Sequence, residues 1–435
     1  MGRPGATDMR NLNHLDATAA ARKLATREIT AEALLTACIE RIGEREPVVH
    51  AWTFLDVDAA MRRARVLDTQ AVSGLLHGLP IAVKDLFDTF DMPTAYGSPI
   101  YTRHRPASDA AAVALAREAG AIVVGKTVTT EFATFHPGAT CNPHNALHTP
   151  GGSSSGSAAA VADFMVPLAF GTQTAGSIVR PAAYCGVVGF KPTFGTVNRI
   201  GVKMISDTLD TIGGFARSVP DVALLVAALS GRRSLLIDAP PADAPRIGLC
   251  RTHEWPRAAP ETVALFDEAE RRLSARGASV RDVALPQPFA GLAQAQTTIM
   301  VREVAQSLAH ERLALRDALS AEMIAMIDAG LAVSTDEYDA ARALARTCRA
   351  MLSDVFADVD VLVAPSTQGE APAGTATGDP VFNRIWTLLH VPCVHVPLAR
   401  GPRGLPIGVT VAGDRGCDRK ALLAAAWIHE QFGSR

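Results

Sequence analysis

Short, fully apolar runs alternate with amphipathic stretches over most of the chain. Residues 79–84 (LPIAVK) and 121–127 (AIVVGKT) predict two buried strands, because apolar runs of this length between turn residues are typical of strands covered on both faces. Between them, a helix is predicted to begin at a cap on Asp109 and to continue through Ala119, with Gly120 as its stop. This strand–helix–strand order predicts a mixed or parallel sheet covered by helices.

The remaining elements are predicted on both sides of this region. Residues 15–43 predict two short helices with Thr30 as an N-cap, and a helix-rich stretch is predicted over about 290–357. The strand–helix–strand order is predicted again in the second half of the chain. The other predicted elements are strands near 246–250, 279–284, 360–364, 393–398 and 406–412 and helices near 261–275, 383–389 and 418–431. With no repeat and no long linker, residues 1–435 are predicted to form a single α/β domain. Its large, mixed, mostly parallel and twisted sheet is expected to carry helices on both faces.

Composition and charge narrow the classes of function. Apolar residues make up 48% of the chain, and 42 basic and 44 acidic residues give a net charge of -2, which argues against binding to nucleic acid or to a membrane surface. The seven cysteines are scattered without CxxC spacing, so we expect no disulfide framework and no metal site. Residues 1–14 lack the apolar stretch of a signal peptide, and no apolar run reaches the length of a membrane span. These features predict a cytoplasmic protein.

One short motif matches a phosphate-binding loop. Residues 120–127 (GAIVVGKT) fit the pattern GxxxxGK[ST], which needs a strand, a loop and then a helix that starts at the lysine. Here the four variable positions are Ala-Ile-Val-Val and favour a strand themselves. A buried strand is therefore the preferred interpretation.

A second motif matches the nucleophile elbow of α/β-hydrolases. Residues 152–156 (GSSSG) fit GxSxG around Ser154, but the polar stretch NPHNALHTPG precedes them where the elbow needs a strand. The late histidines His390, His395 and His429 have no recognisable triad context. A flexible linker is also disfavoured, because the segment continues directly into the helix-forming SAAAVADFM.

A third pattern combines serines, glycines and one lysine. Residues 151–193 pack two glycine–serine turns around an apolar run, and Lys84 ends an apolar strand upstream. Glycine lets main-chain N–H groups approach a reacting carbonyl, and a desolvated lysine can take the proton of a serine. This segment, together with GLPIAVKD, GAIVVGKT, NPHN and GLPIGV in the same order, resembles the amidase signature family. The resemblance covers nearly the whole chain, and its core signature region spans about 75–220.

The resemblance implies a Ser–Ser–Lys catalytic set without a cofactor. Lys84 would be the base, Ser153 the proton relay and Ser177 the nucleophile. The family also has a cis peptide at the position of Gly152 and Ser153, and Ser154 would support the substrate. The oxyanion hole would be formed by main-chain N–H groups of Thr174, Ala175, Gly176 and Ser177.

The chain departs from the common family pattern near the nucleophile. Gln173 stands where an aspartate is usual, Ala175 replaces a glycine, and the arginine lies three places after Ser177, at Arg180, instead of two. This form resembles the malonamidase subgroup, as do the stretches 201–213, 334–342 and 377–389. The resemblance implies that Arg180 clamps a substrate carboxylate; the alternative is a structural arginine that pairs with a buried acid.

These features predict an amidohydrolase that cleaves a small, carboxylated, malonamate-like amide to acid and ammonia through an acyl-enzyme on Ser177. We expect a homodimer with a small-molecule substrate, and pocket walls from residues 127–136 and 370–386. One alternative is an amidase or esterase for neutral aryl amides or carbamates. Another is one of the subunits of an amidotransferase, which the departures after residue 172 disfavour. A third is a non-catalytic binding protein, which the complete Ser–Ser–Lys set disfavours.

Overall fold

One mixed sheet of eleven strands runs through the computed structural model, which describes residues 9–433. Residues 1–8, on which the signal-peptide prediction partly rests, lie outside the described residues. The strands are β1 (Trp52–Leu55), β2 (Pro80–Lys84), β3 (Ile122–Thr127), β4 (Leu168–Gln173), β5 (Val188–Lys191), β6 (Thr211–Ala216), β7 (Arg246–Leu249), β8 (Ser279–Asp282), β9 (Val361–Pro365), β10 (Cys393–Arg400) and β11 (Pro406–Ala412).

Fifteen α-helices lie within the described part of the chain. None of them is long and apolar enough to cross a membrane. They are α1 (Ala17–Ala25), α2 (Ala31–Val49), α3 (Val57–Thr69), α4 (Ala111–Glu118), α5 (Ser155–Ala162), α6 (Val179–Cys185), α7 (Val219–Ser230), α8 (Pro260–Ala275), α9 (Leu292–Ser307), α10 (Ala309–Ala314), α11 (Ala321–Ala332), α12 (Thr335–Ala350), α13 (Leu352–Val355), α14 (Val381–Leu388) and α15 (Asp418–Phe432).

The strand order is β1-β3-β2-β4-β6-β5-β10-β11-β9-β7-β8. The predicted mixed sheet is confirmed, but it is not mostly parallel. Parallel pairing is confined to β2–β3, β2–β4, β7–β8 and β7–β9, while six pairs are antiparallel. The strand–helix–strand rhythm identifies only parallel units, since antiparallel neighbours such as β10 and β11 need nothing more than a short loop between them.

Helix boundaries test the predicted caps. Thr30 caps α2 as predicted, and its hydroxyl accepts a hydrogen bond from a first-turn amide at 3.1 Å. The cap predicted at Asp109 is wrong, because α4 begins at Ala111 and has no side-chain cap. The Asp109 carboxylate instead pairs with Arg117 at 3.0 Å. Gly120 follows the helix with φ +90°, consistent with its predicted role as the stop.

The centre of the sheet is buried on both faces. Every residue of β2, β3, β4 and β6 is buried. Because β2 and β4 are parallel, with Ala82 opposite Ala169, the carboxyl ends of these two strands meet at one edge of the sheet. That edge places Lys84 beside the loops that follow β4.

Candidate active site

Lys84 ends β2 and is fully buried. Its Nζ donates to Thr172 Oγ1 and lies 2.8 Å from both that oxygen and Ser153 Oγ. Burial lowers the pKa of Lys84 well below that of an ordinary lysine, and the charge of Asp210 opposes this shift only in part. A lysine in such a site is suited to act as a neutral amine, which can accept a proton from the neighbouring hydroxyl.

The turn before α5 delivers Ser153 to this lysine. Gly151 has φ +81°, and a Cβ there would lie 2.8 Å from Pro181 Cα, so the turn needs glycine. The peptide bond between Gly152 and Ser153 is cis. Ser153 is fully buried, and its carbonyl accepts from Thr130 N at 3.3 Å. Lys84 and Ser153, far apart in sequence, are thus brought together as the resemblance implies.

The Ser154 side chain is hydrogen-bonded to the main chain of β4. It is fully buried, and its hydroxyl donates to the carbonyl of Thr172 at 3.3 Å. α5 begins directly after it, at Ser155, and no strand precedes it as a nucleophile elbow requires. These contacts favour a structural role that ties α5 to β4, while the substrate role stays a prediction.

Ser177 lies in the loop between β4 and α6 and is 6% exposed. Among the hydrogen bonds of residues 9–433, none joins its hydroxyl to Ser153, so the final step of the proton relay stays a prediction. Catalytic hydrogen bonds in unliganded enzymes are often long and shorten only when substrate is bound. The structure shows the contact between Lys84 and Ser153.

The residues before Ser177 provide main-chain donors. The N–H groups of all four predicted donors, Thr174, Ala175, Gly176 and Ser177, have no acceptor within the described part of the chain. Ala175 does not have a positive φ, so its replacement of a glycine leaves the main chain in an ordinary conformation. A Cβ on Gly176 would lie 2.4 Å from Asn383 Oδ1, which explains why this position needs glycine. The donors are available for an oxyanion, as the resemblance implies.

Gln173 has a structural role at the departure from the family pattern. Its Oε1 accepts from Ile178 N at 2.9 Å and Val179 N at 3.0 Å, and its Nε2 donates to Thr387 Oγ1 at 2.9 Å. The amide therefore ties the start of α6 to α14. The acid whose charge acts on Lys84 is Asp210.

Asp210 and Thr172 were not identified from the sequence. Asp210 precedes β6 and accepts from Thr174 Oγ1, from Ile205 N at 2.8 Å and from Ser206 N at 3.0 Å. Burial raises the pKa of Asp210 to about 6. The only signal for either residue is its position inside a stretch that resembles the family, since neither forms a motif by itself.

The guanidinium of Arg180 is hydrogen-bonded to main-chain carbonyls of the protein. The residue is 1% exposed, and its terminal nitrogens donate to the carbonyls of Gly152 at 2.7 Å and Gly378 at 2.9 Å. Burial lowers the pKa of Arg180 to about 10. These contacts favour a role in holding the turn before Ser153. The predicted carboxylate clamp stays a prediction, with Nε as the buried nitrogen that has no partner among the described residues.

The two predicted wall segments border this site. Thr130, from the first segment, contacts Ser153, and Thr377, from the second, packs against Gly152. A cavity of about 990 Å³ lies elsewhere, between α1, α7 and α15. It is lined by none of Lys84, Ser153 and Ser177, so its size does not mark the site of this chemistry.

The match to the phosphate-loop pattern is a strand, as preferred. Lys126 is buried within β3 and donates to Phe87 O at 2.8 Å and Thr94 Oγ1 at 2.6 Å. Its amine is fully used inside the protein, and no helix follows it directly in the described chain.

The comparison with known families agrees with this geometry. The Amidase family model matches residues 33–422. The chain belongs to the amidase family. The A subunit of glutamyl-tRNA(Gln) amidotransferase from Acidothermus cellulolyticus is 35% identical to this amidase over 98% of its chain and 96% of the relative.

Solved structures show the same fold. A crystal structure of an amidase is 32% identical, with a TM-score of 0.88, and the match covers 95% of this chain and 99% of that one. A structure described as a vestigial protein complex that reveals the origins of an s-triazine catabolic enzyme is 28% identical, with a TM-score of 0.87 and coverage of 96% and 99%. The predicted amidase signature fold is confirmed.

The comparisons overturn the predicted activity on malonamate-like amides. Eight curated relatives, at 33–35% identity over 93–98% of the chain, are all the A subunit of glutamyl-tRNA(Gln) amidotransferase. The special closeness to malonamidase is not supported. The prediction relied on the position of Arg180 and on three stretches of resemblance, and that arginine contacts main-chain carbonyls in the structure.

Proposed function

We propose that this amidase is the amide-cleaving subunit of an amidotransferase, which releases ammonia from a carboxamide donor for use by partner chains. The observation that carries the chemistry is the fully buried Lys84, whose Nζ lies 2.8 Å from Ser153 Oγ and has no hydrogen-bonded carboxylate among the described residues. The similarity to the A subunit of glutamyl-tRNA(Gln) amidotransferase supports the amidotransferase class. Glutamine is the first donor to test, because its side chain is the common biological carboxamide.

The proposed reaction begins with proton transfer. Neutral Lys84 takes a proton from Ser153, Ser153 takes the proton of Ser177, and Ser177 Oγ attacks the carbonyl carbon. The proton then returns by the same route to the leaving nitrogen as the C–N bond breaks, which releases ammonia and leaves an ester on Ser177. Water hydrolyses this ester to a carboxylic acid and restores the free serine.

The charge that develops on the carbonyl oxygen needs donors that are already in place. The N–H groups of Ala175, Gly176 and Ser177 are the candidates, since none has a protein acceptor in residues 9–433. Each such donor is typically worth about 3 kcal/mol of transition-state stabilisation. Gln173 and Asp210 support this loop without contacting the substrate in our proposal.

Contact with tRNA is assigned to partner chains in this proposal. The net charge of -2 gives the chain no general attraction for a polyanion. The curated relatives are named as subunits, and one structural neighbour is described as a protein complex. A partner chain is therefore expected, and the homodimer stays a prediction.

The test measures ammonia release and active-site labelling separately. A fluorophosphonate should label Ser177 in the wild type and not in Ser177→Ala, as read by mass spectrometry of peptides. Ammonia release from glutamine should follow the same pattern, with or without partner chains recovered by co-purification. Labelling without glutamine cleavage, in both preparations, would retain the nucleophile and reject the amidotransferase donor.

A matched variant serves as the control for loss of the fold. Ser154→Ala removes a neighbouring buried hydroxyl whose hydrogen bonds, among residues 9–433, are with the main chain of Thr172. It should keep Ser177 reactive toward the fluorophosphonate. If Ser154→Ala is the variant that loses labelling while Ser177→Ala keeps it, the nucleophile is wrongly assigned.

A further inference from the structure

We propose that Gln296 and Thr387 are positioning residues that aim the oxyanion-hole N–H groups at the substrate. The inference rests on the proposed function, because it concerns the same nucleophile loop. Gln296 lies on α9 and Thr387 on α14, both more than a hundred positions from the loop in sequence. Both are buried, at 0% and 1% exposed.

Gln296 holds the first peptide of the loop. Its Nε2 donates to Thr174 O at 2.9 Å. The other end of the amide is fixed as well, because Oε1 accepts from Arg384 at 2.7 Å. An arginine can only donate, so the contact identifies the oxygen end of the Gln296 side chain and directs its N–H toward the loop.

Thr387 holds the next peptide by the same logic. Its hydroxyl accepts from Gln173 Nε2 at 2.9 Å. The single hydroxyl proton is thereby left to donate, and Ala175 O, at 2.9 Å, is a nearer acceptor than Asn383 O, at 3.4 Å. Gln173, which replaces the usual acid, is thus part of the device that orients Thr387.

Holding a carbonyl also sets the direction of the N–H in the same peptide. The peptides after Thr174 and Ala175 are trans, so each C=O and N–H point in opposite directions. With the carbonyls directed at α9 and α14, the N–H groups of Ala175 and Gly176 point away from these helices. These are two of the donors that lack an acceptor in the described residues.

The nucleophile loop around Gly176 is also closely packed on its other sides. Gly176 packs so closely on α14 that a Cβ would lie 2.4 Å from Asn383 Oδ1 and 2.9 Å from Pro380 Cβ. On the far side, Arg180 N donates to Gly176 O at 2.9 Å as α6 begins. The remaining contacts of the loop are therefore tight. The hydrogen bonds from Gln296 and Thr387 control only small rotations of its peptide groups.

The experiment compares Thr387→Val with wild type by the rate of fluorophosphonate labelling at Ser177. This rate depends on the nucleophile and the oxyanion donors and needs no knowledge of the substrate. We expect it to fall about tenfold, the effect of weakening about one hydrogen bond in the transition state. Thr387→Ser, which restores the hydroxyl, should recover most of the rate.

Thr262→Val is the matched control. Thr262 is 3% exposed, and its hydroxyl donates to Gln368 O at 2.9 Å, the same kind of bond as that of Thr387, but on α8. An equal slowing in Thr262→Val would overturn the inference, since it would indicate a general cost of losing a buried hydroxyl. Equal labelling of Thr387→Val and wild type would also overturn it.

Gln296→Met provides a second route if Thr387→Val does not fold. Methionine keeps the length and burial of the side chain but cannot donate to Thr174 O. On any carboxamide that the wild type cleaves, kcat should fall about tenfold with KM nearly unchanged, as expected for an interaction that matters in the transition state. A rise in KM at constant kcat would reject the positioning role. Absence of wild-type labelling at Ser177 would instead reject the proposed function.

Discussion

Two buried lysines at the centre of the sheet show opposite uses of the same side chain. Lys84 and Lys126 lie near the ends of the parallel neighbours β2 and β3, and both are 0% exposed. Val83 pairs with Lys126 in the register, so the alternation of strand side chains places Lys126 on one face of the sheet and Lys84 on the other. Lys126 forms an ion pair with Asp85 at 3.0 Å. The Nζ of Lys84 hydrogen-bonds only with the hydroxyls of Ser153 and Thr172 among the described residues.

The two lysines differ in which charge opposes the effect of burial on their pKa. Burial lowers the pKa of both lysines, but at Lys126 the carboxylate of Asp85 acts against the shift by its charge and by a hydrogen bond. At Lys84 the opposing charge is Asp210, with which it has no hydrogen bond, and burial holds the pKa of Lys84 well below its ordinary value. A buried lysine with a carboxylate is a structural ion pair, whereas one surrounded by hydroxyls is suited to exchange protons.

The largest expected effect is the loss of activity when Lys84 is replaced. Lys84→Met should lower kcat/KM by about a thousandfold or more, because a general base is typically worth about 10²–10⁴ in rate. Lys84→Arg should be equally inactive, since arginine stays protonated. Ammonia release and Ser177 labelling measure the loss, and circular dichroism checks the fold. Activity in Lys84→Met within tenfold of the wild type would remove Lys84 from the role of base.

Substitution of Lys126 should lower the stability of the protein more than substitution of Lys84. Lys126→Met leaves the buried Asp85 carboxylate without its partner, and breaking a buried pair in this way typically costs about 3–5 kcal/mol. Urea unfolding should show this loss, while Lys84→Met should unfold at or above the wild-type midpoint. The double variant Asp85→Asn/Lys126→Met should regain part of the stability. A stable Lys126→Met protein would argue that the pair contributes little.

The pH dependence of the rate tests the electrostatic part of the comparison. Neutral Lys84 is the active form, so the rate should rise with pH through the lowered pKa of the lysine and then level off. Because the charge of Asp210 raises the pKa of Lys84, Asp210→Asn should move the acidic limb of the profile to lower pH. Single-turnover kinetics over a pH series would measure the shift. A limb that stays in place would indicate that a different group controls the profile.

The sequence predicts residues joined by long motifs and misses those joined only by the fold. Lys84 and Ser153 were identified by resemblance, and the structure brings them to 2.8 Å. Thr172 belongs to a recognised segment, but its contact with the lysine depends on the parallel pairing of β2 with β4. Gln296 and Thr387 could not be found, because they are ordinary polar residues on helices until α9 and α14 pack on the nucleophile loop.

The fold shows a similar division. The strand–helix–strand units were predicted, since each is coded locally by periodicity and caps. The antiparallel centre, where β4 and β5 flank β6, was not, because β-strand pairing over tens of residues leaves no local pattern. Substrate predictions failed for a related reason. Arg180 was interpreted from its spacing to Ser177, whereas its contacts with the carbonyls of Gly152 and Gly378 become visible only in the fold.

The smallest expected effect concerns how stability varies with pH. The pKa of Lys84 is lowered in the folded protein and is about 10.4 when the chain is unfolded, so between these two values the unfolded state binds one more proton. The free energy of unfolding should therefore rise with pH in this window, by about 1.4 kcal/mol per pH unit, and level off above it. Lys84→Met should show a smaller rise, to which Lys126 still contributes because burial lowers its pKa as well, whereas Lys126→Arg, which keeps a cation beside Asp85, should retain the part due to Lys84. Urea unfolding of the three proteins at several pH values between neutral and about 10 measures the slopes. Identical slopes in wild type and Lys84→Met would mean that Lys84 is charged in the folded protein, and the contrast between the two lysines would then be lost.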